Sequence, residues 1–462
     1  MLINPIGYSG GGADDIRYLD AARCWVATGG PCLPDSHWAT RWPAIAPIAL
    51  FTGAFGESRL TVGIGPLLAW CACIVLIGQV GRLWFDRATG WLATALLAVV
   101  PAVTQMAAQP SADTTELAFQ LAALLLATLA YRRQSPALAM AGGAFAALAT
   151  QARDTSLVFC IVAAGGWLLL DRDRRKVLLW ALAGFAGAIA AELLAYAVAT
   201  GDPLFRYRLA LGHVAIPSTE LSAGVDTRES PLFNPHYIAG WRREEGINWW
   251  WPVDPWLNLI ASPRISVVFI AALVMAPFGW SAMSRGWRRL VARMLGLALL
   301  VAMLLVYGLA VDPKPRMFFY LIAAVVLATA AMAVASWRAG KGLVPATLVV
   351  LLAAFGLRLL SMIADTHEME RRAQQWIAAN PGQIEIDART LTTLTLLPEA
   401  RALAFEGSGR PLRIASTNGI CEEYGRPVLS RAGGPPQGEL CLLGPRKMNA
   451  AVPGAAPKPG LS

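Results

Sequence analysis

TVGIGPLLAWCACIVLIGQVGR, residues 61–82, contains no charged residue until Arg82 ends it. An uncharged apolar run of this kind has the ~20 residues that cross a bilayer as an α-helix. Similar stretches occupy 88–107, 114–131, 136–151, 156–171, 177–199, 264–284, 291–311, 317–336 and 342–363. The pair 136–151 and 156–171 is short, and a tilted or partly sunken hairpin is expected there. Segment 43–55 is apolar too, but Pro43 and Pro47 mark it as interfacial rather than spanning. Of the 462 residues, 56% are hydrophobic and 15% charged, with a mean hydropathy of +0.49. A soluble domain cannot cover that much apolar surface. The fold class is a polytopic α-helical membrane protein of about ten spans.

The net charge of +9 raises nucleic acid as a partner, but the distribution of the charge excludes it. The basic residues sit in alternate short loops: Arg82 and Arg87; Arg132 and Arg133; Arg172, Arg174, Arg175 and Lys176; Arg285, Arg288, Arg289 and Arg293; Arg338 and Lys341. That alternation marks those loops as cytoplasmic. The external parts are then residues 1–60, the loop near 108–113, the turn 152–155, the long loop 200–263, the turn 312–316 and everything from 364. With residues 1–60 outside and no signal segment before residue 14, a first transmembrane helix is expected upstream of Met1, with a true N-out start as the alternative.

Four regions follow: an external first loop at 1–60, a helical membrane region at 61–363, a small external α/β domain at 364–443 and a disordered tail at 444–462. The tail is rich in Pro, Gly and Ala. Within the α/β domain, 366–379 reads as an amphipathic helix, Asn380-Pro381-Gly382 as a turn and 383–387 as a strand. Further short strands are expected at 401–406, 412–416 and 439–443. The loop 200–263 carries Trp241, Trp249, Trp250, Trp251 and Trp256, which suit helices lying in the headgroup layer, a lid over a substrate cavity, or both. Cys71, Cys73 and Cys160 fall within spans and read as packing residues. Cys24 with Cys32, and Cys421 with Cys441, pair off on the external, oxidising side as candidate disulfides.

The chemistry-bearing residues gather on that same side. Asp14 and Asp15 follow a glycine run in the first loop, and Asp113 stands where an external loop enters a span, with Glu116 one turn on. The bland reading of Asp113 is a helix N-cap completed by Glu116 as a capping box; the sharper one is a functional carboxylate, since charge at a membrane edge is costly. Lys314 and Arg316 sit in a tight external turn where the positive-inside bias disfavours them, and a phosphate at headgroup level would explain them. Arg41, close after His37, and Arg153 are similar; for Arg153 a local bridge to Asp154 is the plain alternative. Carboxylates and cations around one external cavity suit group transfer from an anionic lipid carrier. No P-loop, dinucleotide fingerprint, nucleophile elbow or zinc spacing occurs, and the histidines form no ligand pattern.

The order of these features resembles the GT-C glycosyltransferases, in particular the protein O-mannosyltransferase and aminoarabinose-transferase group. Those proteins carry an acidic pair and a nearby Tyr in the first external loop, matched here by Asp14-Asp15 and Tyr18, with Asp in place of Glu. An Arg-x-Pro segment and a Phe-Gly follow, matched by Arg41-Trp42-Pro43 and Phe55-Gly56, and the next external acid is matched by Asp113. The stretch 201–205 and the turn 314–316 also look like family features, and the resemblance covers roughly 10–340.

The resemblance implies transfer of a sugar from a polyprenyl-phosphate carrier to an acceptor on the external side. The acceptor could be a glycan, lipid A, a protein or another lipid. It implies Asp14 as catalytic base with Asp15 as understudy, and Asp113 orienting the acceptor or binding a metal. Arg41, Lys314 and Arg316 would hold the donor phosphate, with Tyr18, His37, Arg153 and Glu116 around the substrate cavity. Some relatives use a divalent cation and others do not, so such a metal, on Asp14 and Asp113, is left open. Two rivals stand beside the enzyme: a flippase or transporter of lipid-linked sugars, and an inactive partner in envelope polysaccharide assembly. Spans nearly free of charge, Glu192 excepted, favour the enzyme. A basic, Ala-rich chain without eukaryotic sorting signals points to a bacterial inner membrane, its external side being the periplasm.

Overall fold

The computed structural model describes residues 13–32, 36–170, 175–214, 265–309 and 315–343, with short pieces at 253, 256–257, 260, 345–348, 350–351 and 354. Towards the C-terminus it describes 372–373, 375–386, 412–417, 427–433 and 439–444. The chain divides into a helical unit, Met1–Gly7 with Arg17–Ser361, and a second unit, Tyr8–Ile16 with Met362–Ser462.

The helical unit contains α1 (Ala13–Thr28) from Arg17 on, α2 (Trp42–Phe55), α3 (Arg59–Trp84), α4 (Arg87–Ala98), α5 (Pro101–Gln105), α6 (Asp113–Arg133) and α7 (Pro136–Ala152). It continues with α8 (Ser156–Leu170), α9 (Arg175–Thr200), α10 (Phe205–Val214), α11 (Ser266–Ala282), α12 (Arg285–Met303) and α13 (Phe319–Arg338). Five described helices are long and apolar enough to cross a membrane: Leu60–Trp84, Asp113–Arg133, Arg175–Thr200, Arg285–Gly308 and Arg316–Arg338. Shorter apolar helices occupy Trp42–Phe55, Ser156–Gly166 and Ser266–Ala282. The large apolar side chains left exposed, such as Leu68 and Val75 on α3, Leu194 and Val198 on α9 and Leu273 on α11, are those a bilayer would cover.

Local chemistry sets the helix ends. Ser58 opens α3 with a capping box: its Oγ accepts from the Thr61 N–H at 3.2 Å, and Thr61 Oγ1 accepts from the Ser58 N–H at 2.9 Å. Asp86 caps α4 by accepting from the Thr89 N–H at 2.8 Å. The expected single span 88–107 is instead two pieces, α4 and α5, separated by Val99 and Val100. Pro101 is the reason: it lacks an N–H to continue α4 and holds Val100 extended at φ −70° and ψ 114°.

Small residues let the helices approach closely. A Cβ on Gly90 of α4 would meet the Gly78 carbonyl of α3 at 2.5 Å, and one on Gly143 of α7 would overlap the Ala181 carbonyl of α9. α13 is the axis of the unit. Its residues from Phe319 to Ser336 are all buried, against α3, α4, α6, α11 and α12. A helix apolar all round belongs at the centre, and this one has no polar stripe to expose.

The second unit holds a four-stranded sheet, β1 (Ile384–Ile386), β2 (Leu412–Thr417), β3 (Val428–Gly433) and β4 (Glu439–Leu443), in the order β1-β2-β4-β3. β1 runs parallel to β2, with Ile384 opposite Leu412, and the other pairings are antiparallel, with Ile414 opposite Leu442. Ile384, Ile386, Ile414, Leu440 and Leu442 pack with Ala373, Trp376 and Ile377 as a small core. Gly382, at φ 72°, makes the turn that leads into β1. β3 was not expected, because Val428-Leu429-Ser430-Arg431 lacks a clean alternation and a bulge between Val428 and Ser430 breaks its register with β4. The expected strand 401–406 and the tail 445–462 lie outside the described residues, as do 215–252 of the Trp-rich loop and most of 342–363.

Candidate active site

Four connections assigned to one side of the membrane meet at one end of the helical unit. Asp113 is the first residue of α6, Arg153 ends α7, Met317 precedes α13, and Tyr18 and Arg41 come from the N-terminal region. Arg153 Nη1 lies 2.6 Å from Asp113 Oδ1, and its Nε lies 3.8 Å from Glu116 Oε2. The same Nη1 donates to Met317 Sδ at 3.0 Å. Arg153, Asp113 and Glu116 are all buried.

The capping reading of Asp113 is therefore not realised. Ala112 is the N-cap, no side chain caps it, and both carboxylates turn inward to Arg153. The local bridge from Arg153 to Asp154 is not formed either, since Asp154 pairs with Arg206. In both cases the buried guanidinium and carboxylates gain more from each other than from partners exposed to water.

Glu116 is held from two further sides. Ser156 Oγ donates to its Oε1 at 2.6 Å, and Gln120 Nε2 donates to the same atom at 3.2 Å and to Ser156 Oγ at 2.8 Å. Gln120 follows Glu116 by one turn of α6, and Ser156 is the first residue of α8, so the α7–α8 turn delivers Arg153 and Ser156 to the same carboxylate.

Arg41 Nη1 donates to the Tyr18 hydroxyl at 2.6 Å. Tyr18 is 1% exposed and interacts electrostatically with Arg41, Arg153 and Asp113. Burial pushes its phenol above the usual range, aided by Asp113 and opposed by Arg41 and Arg153, so it stays neutral. Arg41 thus carries its charge against a neutral partner, and its Nε has no hydrogen-bond partner among the described residues. Arg153, by contrast, is shared between two carboxylates.

His37 is buried with its ring centroid 3.7 Å from that of Trp38, over which Arg17 lies at 5.7 Å. Arg316, half-buried, sits in the 3-10 turn Pro315–Phe318 that leads into α13. Lys314 lies outside the described residues. Asp14 and Asp15 occupy the first turn of α1, but their side chains lie outside the described residues. Cys24 and Cys32 are joined by a disulfide. Cys441 is disulfide-bonded too, while its expected partner Cys421 lies outside the described residues. Among the described residues no group of three His, Cys, Asp or Glu side chains could hold a metal. Asp113 is already compensated by Arg153, so the described donors do not fit a cation.

A second buried network adjoins the first, with little sign of it in the sequence. Arg206 of α10 is 1% exposed and has three acceptors. It donates to Glu192 Oε1 of α9 at 2.8 Å, Asp154 Oδ1 at 2.7 Å and the Thr150 carbonyl of α7 at 2.6 Å. Burial disfavours its charge, but Asp154 and Glu192 outweigh burial and raise its pKa. One turn beyond Glu192, Tyr196 donates its hydroxyl to the Thr40 carbonyl at 3.1 Å. Glu192, the charge that interrupts an otherwise uncharged span, is thus neutralised. The one available clue was an arginine placed among apolar residues directly after Phe205.

Next to the Gln120 end of this polar cluster an apolar cavity of about 100 Å³ opens between α6, α8, α12 and α13. Leu117, Leu121, Phe159, Leu297 and Tyr320 are among its walls.

Residues 43–198 match the family model for dolichyl-phosphate-mannose-protein mannosyltransferases. A search of curated proteins finds no match. Among solved structures, the chain is similar to the Archaeoglobus fulgidus oligosaccharyltransferase tethered to an acceptor peptide, with 10% identity and a TM-score of 0.50 over 91% of this chain and 66% of that one. It thus spans less than two thirds of the length of that enzyme. The Cupriavidus metallidurans ArnT bound to undecaprenyl phosphate is a further match, at 13% identity and a TM-score of 0.37 over 93% of both chains. Residues 43–198 are thus similar to the dolichyl-phosphate-mannose-protein mannosyltransferases, and the likeness to the oligosaccharyltransferase is one of fold.

Proposed function

We propose that this chain is an integral-membrane glycosyltransferase that moves a monosaccharide from a polyprenyl-phosphate carrier to an acceptor at the periplasmic face of a bacterial inner membrane. One observation carries the reading: the segment matching the mannosyltransferase model contains Asp113, Glu116 and Arg153, which fold into one buried charged cluster. Buried charge at a membrane edge is costly and is kept where chemistry needs it. The apolar cavity beside that cluster suits the first isoprene units of such a carrier.

In the reaction, an acceptor hydroxyl attacks the anomeric carbon and the bond from that carbon to the phosphate oxygen breaks. The hydroxyl proton passes to Asp14, with Asp15 as the alternative base, and the electron pair leaves with the phosphate. Inversion at the anomeric carbon follows from this single displacement. Asp113 orients the acceptor. Arg41 holds the leaving phosphate; its one described hydrogen bond goes to a neutral phenol, which supports that role. By the sequence resemblance, Lys314 and Arg316 would also hold that phosphate.

The test is sugar transfer by the purified protein in lipid from a panel of polyprenyl-phosphate monosaccharides, with native envelope extract as acceptor. Wild type is compared with Asp14→Asn and Asp113→Asn. Transfer that collapses in the Asp14 variant while folding is kept supports the assignment and names the donor. Absence of transfer with every donor would move the weight to a flippase or to an inactive assembly partner.

A further inference from the structure

Arg206 lies outside the matched family segment and touches neither Asp113 nor Arg41. Yet its three partners frame the residues that do. Thr150 and Asp154 stand on either side of Arg153 in the chain, one in the last turn of α7 and the other in the α7–α8 turn. A guanidinium that holds both fixes the direction in which Arg153 leaves the helix. The third arm, to Glu192, ties that turn to α9. Through Tyr196 the same stretch of α9 reaches the Thr40 carbonyl, the residue before Arg41.

The chain builds this bracket locally. α9 ends at Gly201, whose φ of 74° reverses the backbone. Asp202 then opens α10, its Oδ1 accepting from the Leu204 N–H at 2.9 Å and its other oxygen pairing with Arg208. The reversal returns Arg206 against α9 at the level of Glu192.

We propose that Arg206 is a positioning residue. By bridging Glu192, Asp154 and the Thr150 carbonyl it aims Arg153 at Asp113 and Glu116, and so sets the geometry of the candidate site. Lysine cannot replace it, because a single ammonium cannot span three acceptors in the fixed fork that a guanidinium offers. The effect on activity rests on the glycosyltransferase reading; the effect on geometry does not.

Two measurements on the full chain in nanodiscs separate these. The first is a cryo-EM structure of Arg206→Lys. The expected result is that the Arg153 guanidinium withdraws beyond about 4 Å from the Asp113 carboxylate, while α6 and α9 keep their places. Retention of the 2.6 Å contact overturns the proposal. The second is a double-mutant cycle in sugar transfer, using a polyprenyl-phosphate donor that the wild type accepts. Arg206→Lys is expected to lower kcat roughly tenfold at unchanged donor KM. In an Arg153→Lys background the same change should cost less than about twofold, and equal factors in the two backgrounds overturn the proposal. A wild type that transfers no sugar would sink the glycosyltransferase reading, and the cryo-EM distance would then decide the positioning role alone. If Arg206→Lys does not fold, Asp154→Asn removes one arm at a residue whose side chain is 41% exposed. It should shift Arg153 in the same direction by a smaller amount, and an unmoved Arg153 there overturns the proposal too.

Discussion

The two ends of the helical unit treat charge in opposite ways. At one end Asp113, Glu116, Arg153, Glu192 and Arg206 are buried and held in two ion networks. At the other, Arg82, Arg87, Arg132, Arg133, Arg285, Arg289 and Arg293 are exposed. There Asp86 meets Arg338 at 2.6 Å, but the arginine side chain is 57% exposed, and the same guanidinium lies 6.0 Å from the Trp287 ring. Arg132 donates to the Leu83 carbonyl, and Ala130, Ala139 and Val177 close the ends of α6, α7 and α9. The second end has the charges that topology requires of a loop surface and leaves them in water. The first end removes its charges from water, which costs several kcal/mol per ion unless partners compensate. Charge density alone therefore does not mark a site; the burial of paired charge does.

The contrast breaks most visibly at Arg153. Arg153→Met would leave two buried carboxylates without their cation, a loss of about 3–5 kcal/mol. A large drop in thermal midpoint in nanodiscs, with no sugar transfer, is expected; a variant as stable as wild type would mean that the cluster is hydrated and unlike its description. Ser156→Ala is the next step down. It removes one hydrogen bond to a charged acceptor, about 1.5–3 kcal/mol, and transfer should fall while the protein still folds. Equal rates for Ser156→Ala and wild type would detach Glu116 from the site.

The opposite end should hardly respond. Arg338→Ala removes an exposed pair worth about 0.2–1 kcal/mol, and neither midpoint nor transfer should move appreciably. The smallest effect is a pH dependence. Burial alone would raise the Asp86 pKa, but the Thr89 backbone N–H, the Thr89 side chain and Arg338 outweigh it and hold the carboxyl below its ordinary range. A depressed folded-state value stabilises the protein above the unfolded pKa, and that contribution is lost as pH falls through the folded value. Acid titration of stability should show a slight loss there that disappears in Asp86→Asn.

The helices were the most legible part of the chain. α3, α6, α7, α8 and α9 begin and end within two residues of the apolar runs at 61–82, 114–131, 136–151, 156–171 and 177–199. A long uncharged run has one way to satisfy its backbone in a bilayer, so length and composition suffice. The break between α4 and α5 could have been read from Pro101, but the apolar run hid it. The site was legible in its parts. Asp113, Glu116, Arg153, Arg41 and Tyr18 could be named, and the charge asymmetry of the loops put them on one side. Their partners could not. The nearest neighbours of Asp113 and Arg153 in sequence, Glu116 and Asp154, offered a cap and a local bridge, and both readings failed because a more remote ion proved to be the better-placed partner.

The sequence by itself determined the membrane class, the run of helices and which residues share an end, because hydropathy and loop charge act locally and need no knowledge of contacts. Only the tertiary structure decided which carboxylate faces which guanidinium, that Arg206 braces the α7–α8 turn, and that Arg41 bonds to the Tyr18 hydroxyl. Those outcomes depend on groups separated by as many as 56 residues meeting in a buried, low-dielectric space, where a few ångströms decide whether an ion is stabilised or stranded.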